Sequence, residues 1–295
     1  MSPPSPITRH PAPRGTLWTN DSSSTAEAVR RYVRSEAWRS PPDETAIPAL
    51  NRKSRLWRID VPGAGRCVLK ESFVSPRYGV LRRLELAFKL RFLRRGLRAM
   101  RLALAATEAG VPTVTPLAFW TDVRQGPRNC FLYSYLEGVP LASLWENGEE
   151  GAPIPETRPA YLAYMRKLGG LVGRLHAAGL THIDLDPTNV LLLPGPSAGS
   201  FIPDGTGGIA LLDADAFRRI AAPTAPMRFT LAMRSLCRMR IRTKTRYPVD
   251  EQVFRAFVDG LANGDTATAT RYQRAIDGWA RHGRHPFLHF LATCR

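Results

Sequence analysis

The apolar positions of the chain change period along its length, and the changes predict its elements. A first amphipathic stretch, Thr25 to Arg39, places Ala28, Val29, Tyr32, Val33 and Trp38 at helical spacing and ends before Pro41-Pro42. Ser54 to Val61 reads as a strand. Pro62-Gly63-Ala64-Gly65 is a turn signal, and Cys67-Val68-Leu69-Lys70 resumes extended character, so the three make a β-hairpin with a lysine late in its second strand. Residues 77 to 101 return to helical spacing through Leu81, Leu84, Phe88 and Phe92, with Gly96 dividing them from a second helix, Leu97 to Ala109, which Gly110 and Pro112 stop. Phe131 to Leu136 is a strand that Glu137-Gly138 breaks. Pro159 to Ala178 is a helix burying Leu162, Met165, Leu168, Leu171, Val172 and Leu175, and Gly179 ends it. Two short apolar runs, Val190 to Leu193 and Ile209 to Leu212, read as paired strands, and the rest from Phe217 reads as mostly helical. Residues 1 to 16, rich in Pro and Ser, read as a disordered tail. Strands followed by helices give an α+β chain.

Composition narrows the class. At 295 residues with 44% hydrophobic positions, the chain is long enough for two lobes with separate cores. No apolar run reaches the ~18 residues a membrane span requires, and Met1 to Thr16 has no apolar stretch like that of a secretory signal; the expectation is a cytoplasmic protein. The four cysteines, Cys67, Cys130, Cys237 and Cys294, have no paired spacing and read as plain thiols. The formal net charge is +17, and only five of the 42 basic residues are lysines. Arginine forks bind phosphate and carboxylate, so an anionic partner is expected: a phosphorylated substrate, an anionic membrane surface or nucleic acid. Biased composition is the plain alternative. Residues 77 to 101 concentrate the charge, with nine basic residues against one acid, Glu85.

Chemistry concentrates between Leu175 and Leu192. A buried helix ends, a tight loop carries Asp184 and Asn189, and an apolar strand follows; a second strand then delivers Asp213. These residue types suit phosphoryl transfer. A carboxylate orients and deprotonates a hydroxyl nucleophile, and hard oxygen ligands hold Mg²⁺ against nucleotide phosphates. Asp184 is the candidate catalytic carboxylate, Asn189 and Asp213 the candidate metal ligands, and Lys70 the candidate phosphate-holding cation.

His182-Ile183-Asp184 with Asn189 resembles the H-x-D-x-x-x-x-N catalytic loop of kinases, and Asp213 resembles their metal-binding Asp. Asp213-Ala214-Asp215 is not Asp-Phe-Gly. The whole is similar to the bacterial lipopolysaccharide kinase family of core heptose and Kdo kinases. Three stretches carry that likeness: Ala109 to Thr113, Tyr133 to Gly138, and Leu175 to Gly179. Asp184-Leu185-Asp186-Pro187 is also similar to the aminoglycoside phosphotransferase and choline kinase group. The resemblance covers about residues 50 to 220. It implies a two-lobed protein kinase-like fold: an N-terminal extension over 1–44, a nucleotide-binding lobe over 45–137 and a helical catalytic lobe over 138–295. It implies ATP and Mg²⁺ as cofactors, Ser134 and Leu136 as an adenine-binding hinge acting through backbone groups, and Lys53 as a phosphate ligand. A glycolipid or sugar acceptor is implied, with peripheral contact at the inner face of the cell membrane through residues 77–101 and no nucleic acid.

Three departures matter. No glycine-rich loop precedes the hairpin; Ala49 to Ser54 stands there. Residues 97 to 107 hold no glutamate to pair with Lys70, and Glu85 and Glu108 are poorly placed substitutes. Asp186 stands where many kinases have a basic residue, and is expected to alter how the γ-phosphate is neutralised. A kinase-like binding protein for an anionic partner, without catalysis, is therefore one rival reading, and a small-molecule or protein kinase of the same fold is the other. His176 and His182 are expected to hold the loop backbone.

Overall fold

The computed structural model describes residues 7–13, 15–42, 45–47, 54–74, 78–92, 95–122, 128–144, 158–194, 207–220, 251–271 and 274. The chain divides into two compact units, one of residues 1–104 and 114–136, the other of residues 105–113 and 137–295.

The first unit is built on an antiparallel seven-stranded sheet. Its strands are β1 (Ile7–Ala12), β2 (Gly15–Asn20), β3 (Ala46–Ile47), β4 (Ser54–Val61), β5 (Gly65–Phe73), β6 (Pro116–Asp122) and β7 (Arg128–Ser134), in the order β1-β2-β6-β7-β5-β4-β3. The disordered tail expected over residues 1–16 is corrected from Ile7 onward, where β1 and β2 form a hairpin whose second strand pairs with β6; residues 1–6 lie outside the described residues. Proline content misleads there. Pro11 lies on β1, the edge strand, where a missing N–H interrupts no inner ladder. Residues 7–39 are thus part of this unit and not an extension to it, and residues 105–113, expected in the nucleotide-binding lobe, belong to the other unit.

Helix α1 (Ala26–Arg34) closes one face of the sheet. Val29 and Val33 pack with Trp38, Ile59, Cys67, Leu69, Trp120 and Leu132. Burial pushes the Cys67 thiol up to about 11 and raises Cys130 well above the usual thiol range, so both are inert core residues; Cys237 and Cys294 lie outside the described residues. Charges at the rim of this core are paired: Arg39 meets Asp122 at 2.6 Å, and Arg128 meets the buried Glu71 at 2.6 Å. The opposite face carries Trp18 stacked on Phe119 with ring centroids 5.4 Å apart. Helices α2 (Val80–Phe92) and α3 (Arg95–Glu108) follow β5. Gly96 does not divide them, as expected from sequence, but lies inside α3, where a Cβ would overlap the Phe119 ring.

The second unit centres on α4 (Arg158–Ala177) and α5 (Glu251–Ala262). Tyr161, Met165, Leu168 and Val172 of α4 and Val253, Phe254, Phe257 and Val258 of α5 are buried. The two backbones touch through glycines. A Cβ at Gly169 would overlap the carbonyl of Phe257, one at Gly260 the carbonyl of Arg166, and one at Gly173 would lie 3.0 Å from the carbonyl oxygen of Leu261. Two small sheets complete the unit: β8 (Val139–Pro140), β10 (Val190–Leu192) and β11 (Ile209–Leu211) in the order β11-β10-β8, and β9 (Leu180–His182) with β12 (Phe217–Arg219). The helix expected to begin near Phe217 is a strand there, held against β9; residues 221–250 and 275–295 lie outside the described residues.

Candidate active site

Helix α4 must stop and reverse before the loop can begin. Gly179 takes φ +69°, a left-handed conformation that glycine adopts without steric cost, and its carbonyl accepts from Ile220 N at 2.8 Å. β9 follows, and His182 at its end is buried. Burial holds its imidazole below the ordinary histidine pKa, so the ring is neutral at pH 7. Its Nε2 lies 2.8 Å from the carbonyl oxygen of Leu212. A carbonyl only accepts, so the ring hydrogen sits on Nε2. The ring meets Phe217 edge-on with centroids 5.1 Å apart. His182 therefore ties β9 to the residue immediately before Asp213, a structural task of the expected kind.

The loop between β9 and β10 is held by its own polar groups. Leu185 is buried and anchors it. Asp186, also buried, caps the single 3₁₀ turn Pro187–Asn189: its carboxylate accepts from Thr188 N at 2.9 Å and from the Thr188 hydroxyl. The carboxylate that stands where many kinases have a basic residue is thus a cap of the loop. The capped turn presents Asn189, whose Nδ2 donates to the Asp184 carbonyl at 2.8 Å. Asp186 N donates to the same carbonyl at 3.0 Å. The Asp184 backbone is thus fixed at two points while its side chain stays half-buried.

Asp213 is brought to this loop from the neighbouring strand. Leu212 N donates to Asn189 O at 2.8 Å, and Ala216 O accepts from Ile183 N at 3.0 Å, so the two loops share hydrogen bonds at both ends. β11 is braced on one edge by β10. On its other side Leu211 N donates to Pro112 O at 2.9 Å, and the Thr113 hydroxyl donates to Leu211 O at 2.7 Å. That is what the Val111-Pro112-Thr113 stretch does. Asp213 itself takes φ +52°, ψ +69°, a left-handed conformation that costs a non-glycine residue energy and that the surrounding bonds enforce. Asp184, Asn189 and Asp213 are therefore brought together in one unit. Among the described residues no three His, Cys, Asp or Glu side chains form a protein-only metal cage. An amide oxygen and a carboxylate are hard ligands, and with Asn189 Nδ2 spent on Asp184 its Oδ1 is the atom left to coordinate. The set suits Mg²⁺, which keeps waters and takes few protein ligands.

Lys70 lies in the other unit, on β5. Strand alternation decides its face. Cys67 and Leu69 point into the α1 core, so Val68 and Lys70 point to the opposite face. Lys70 is in register with Leu56 and Phe131, and Val68 with Arg58 and Tyr133. Leu56, Val68 and Tyr133 form an apolar bed beside Lys70 that motif reading missed and that period-two reading of β4 and β5 locates. Glu71 faces the other way, onto Arg128, and Glu85 pairs with Arg82. The buried hydrophobic side chains described on α3 are Leu97, Ala99, Met100, Leu102, Ala103 and Ala106, and its one carboxylate, Glu108, is exposed. Ser134 ends β7. Its N–H donates to Thr115 O at 2.9 Å, its hydroxyl accepts from Thr115 N at 3.1 Å, and Tyr135 N donates to Arg66 O at 3.0 Å, which leaves Leu136 just past the ladder. Lys53 lies outside the described residues.

No known family's sequence profile matches the chain. It is similar to the EKC/KEOPS complex subunit BUD32 of Chaetomium globosum, 30% identical over 92 residues, or 29% of this chain and 33% of that protein. The chain thus spans about a third of the length of the curated relative it matches. Among solved structures it is similar to WaaP in complex with acyl carrier protein, with TM-score 0.48 and 16% identity over 79% of this chain and 87% of the other. It is also similar to the PknI kinase domain of Mycobacterium tuberculosis, with TM-score 0.42 and 15% identity over 79% of this chain and 93% of that domain. The elements that the kinase resemblance implied are present in the chain: the lysine-bearing hairpin, the helix after it, the β6–β7 pair ending at Ser134, and the H-x-D-x-x-x-x-N loop joined to Asp213.

Proposed function

We propose that the chain is an ATP-dependent phosphotransferase that phosphorylates a sugar hydroxyl of lipopolysaccharide core or a related glycolipid. The observation that carries the reading is the hydrogen-bonded junction of Asp184, Asn189 and Leu212-Asp213, which gathers a carboxylate and two hard ligands on one scaffold. Asp184 accepts the proton of the acceptor hydroxyl as its oxygen bonds to the γ-phosphorus; the bond to the β,γ-bridging oxygen breaks and ADP leaves. Asn189 and Asp213 would hold Mg²⁺, which would supply neutralisation of charge on the phosphates. Lys70 holds the α- and β-phosphates, Lys53 adds a second cation, and the backbones of Ser134 and Leu136 take the adenine edge. The acceptor class rests on the resemblance of the motifs to lipopolysaccharide kinases and on the arginine-rich charge. Among the described residues no helix is long and apolar enough to cross a membrane, which suits a cytoplasmic enzyme meeting its acceptor at the inner membrane face.

The metal roles predict unequal losses. Asp213→Ala removes a charged ligand and should abolish Mg²⁺-dependent nucleotide binding. Asn189→Ala removes a neutral ligand that water replaces, and should raise the Mg²⁺ requirement by about tenfold. Mg²⁺ titrations of nucleotide affinity check both; an Mg²⁺ dependence unchanged by Asp213→Ala would refute the metal role.

The acceptor is tested by ATP consumption with purified lipid A–core fractions beside small sugars and aminoglycosides. Stimulation by the lipid A–core fraction alone supports the proposal, and stimulation by an aminoglycoside or a free sugar alone moves the substrate to a small molecule. One observation favours a second reading, a binding protein without catalysis: no glycine-rich loop precedes the hairpin, where Ala49 to Ser54 stands. ATP consumption with none of the acceptors, alongside intact nucleotide binding, would select it.

A further inference from the structure

We propose that the outward face of α2 is a docking surface that seats the chain on an anionic lipid bilayer. The helix has two apolar stripes. Leu86, Ala87 and Leu90 are half-buried, and the Leu90 carbonyl accepts from Asn129 Nδ2 at 3.1 Å, which fastens that side to β7. The other stripe faces water: Val80 is 70% exposed, Leu81 84%, Leu84 64% and Phe88 59%. Leu81, Leu84 and Phe88 follow the i, i+3, i+7 spacing of one helix side, with Val80 one turn before Leu84.

A helix packed on one side of a soluble unit puts polar residues on the other. Single exposed leucines are ordinary, but a contiguous group is not. Among the described residues five large hydrophobic side chains are exposed, and four of them are on this helix. Catalysis by Asp184 has no use for the stripe.

The charge selects the occupant. Residues 77–101 hold nine basic residues and one acid, in a chain of net charge +17, and the acid, Glu85, is already paired with Arg82. Arg82 and Arg83 are exposed on the same helix. A second copy of this helix would bring like charges together. Nucleic acid would match the charge and leave the stripe in water. A bilayer with anionic headgroups satisfies both: the leucines and phenylalanine enter the headgroup boundary while the guanidinium groups on long stems reach the phosphates. The inference goes beyond the phosphotransferase reading, and vesicle binding needs no turnover, so either can fail without the other.

The test is co-sedimentation of the full chain with phosphatidylcholine vesicles, with and without about 30% phosphatidylglycerol. The variants are the triple Leu81→Gln/Leu84→Gln/Phe88→Gln and the double Arg82→Gln/Arg83→Gln. Thermal melting of each is compared with wild type, and Leu84→Gln alone replaces the triple if the triple melts early. Wild type should bind the anionic vesicles, and raising salt to about 0.5 M should release much of it. The double variant should lose roughly tenfold in partitioning, and the triple at least about tenfold at either salt concentration. The proposal is overturned by no binding of wild type to anionic vesicles, or by equal binding of the triple variant. It is also overturned if sedimentation velocity shows a wild-type dimer that the triple variant dissolves, since the stripe then serves a second copy.

Discussion

Asp184→Asn should lower kcat for phosphoryl transfer by about 10²- to 10⁴-fold while leaving the nucleotide Kd within about twofold. The loop makes this substitution clean. Asp184 is held through its backbone carbonyl, by Asn189 Nδ2 and Asp186 N. An isosteric amide leaves those bonds, the cap on Thr188 and the contact to Leu212 in place. What disappears is the group proposed to accept the acceptor's proton. The expected loss corresponds to about 3–5 kcal/mol of transition-state stabilisation, and it should appear in kcat, with KM for ATP little changed. Steady-state kinetics beside nucleotide titration separate the two. Wild-type turnover by the mutant would remove Asp184 from the reaction; a large loss of nucleotide affinity would mean that it binds the nucleotide, directly or by holding the loop.

Gly260→Ala should destabilise the second unit by about 2–4 kcal/mol and lower its Tm by roughly 5–15 °C. The added methyl would overlap the Arg166 carbonyl, and a backbone atom of a packed helix cannot swing aside as a side-chain tip does. Relief requires α4 and α5 to separate, which loosens Phe257 and Leu168 together. Gly170→Ala is the matched control. Its Cβ would lie 3.7 Å from the Gly260 carbonyl oxygen and 3.9 Å from Arg174 Nη1, ordinary contact distances. With no overlap, the helix preference for alanine over glycine should dominate, and the control should be neutral or stabilising by up to ~1 kcal/mol. Equal melting of Gly260→Ala and Gly170→Ala would show that the close approach is not there.

The parts legible in the sequence were those written in adjacent residues. His182 through Asn189 and the hairpin ending at Lys70 carry their chemistry and their turns within a few positions, so motif and period coincide. The helix over residues 158–177 was found from its apolar stripe, but that reading counts hydrophobic residues and passes over Gly169 and Gly173, whose importance exists only once α5 lies against them. The first strands were lost for the opposite reason. Pro11 and its neighbours read as tail because proline argues against a strand, and only an edge position reconciles the two. The cap that Asp186 makes with Thr188, two residues on, was not read from the sequence, because family comparison drew attention to the missing basic residue there. The stripe of α2 was visible as a period, but its direction was not: helical spacing alone cannot say whether Leu81 and Leu84 face the sheet or water.

The central claim is that Asp184, Asn189 and Asp213 form a working phosphoryl-transfer site and not a remnant of one. Single-turnover transfer from ATP labelled at the γ-phosphate, with the chain in excess and Mg²⁺ saturating, tests it most directly. The account predicts label in the lipid A–core acceptor at a yield matching the ADP formed, dependent on Mg²⁺ and nearly absent with Asp184→Asn. Bound ATP that stays intact beside every acceptor, or label released only as free phosphate at the same rate by wild type and Asp184→Asn, would contradict it.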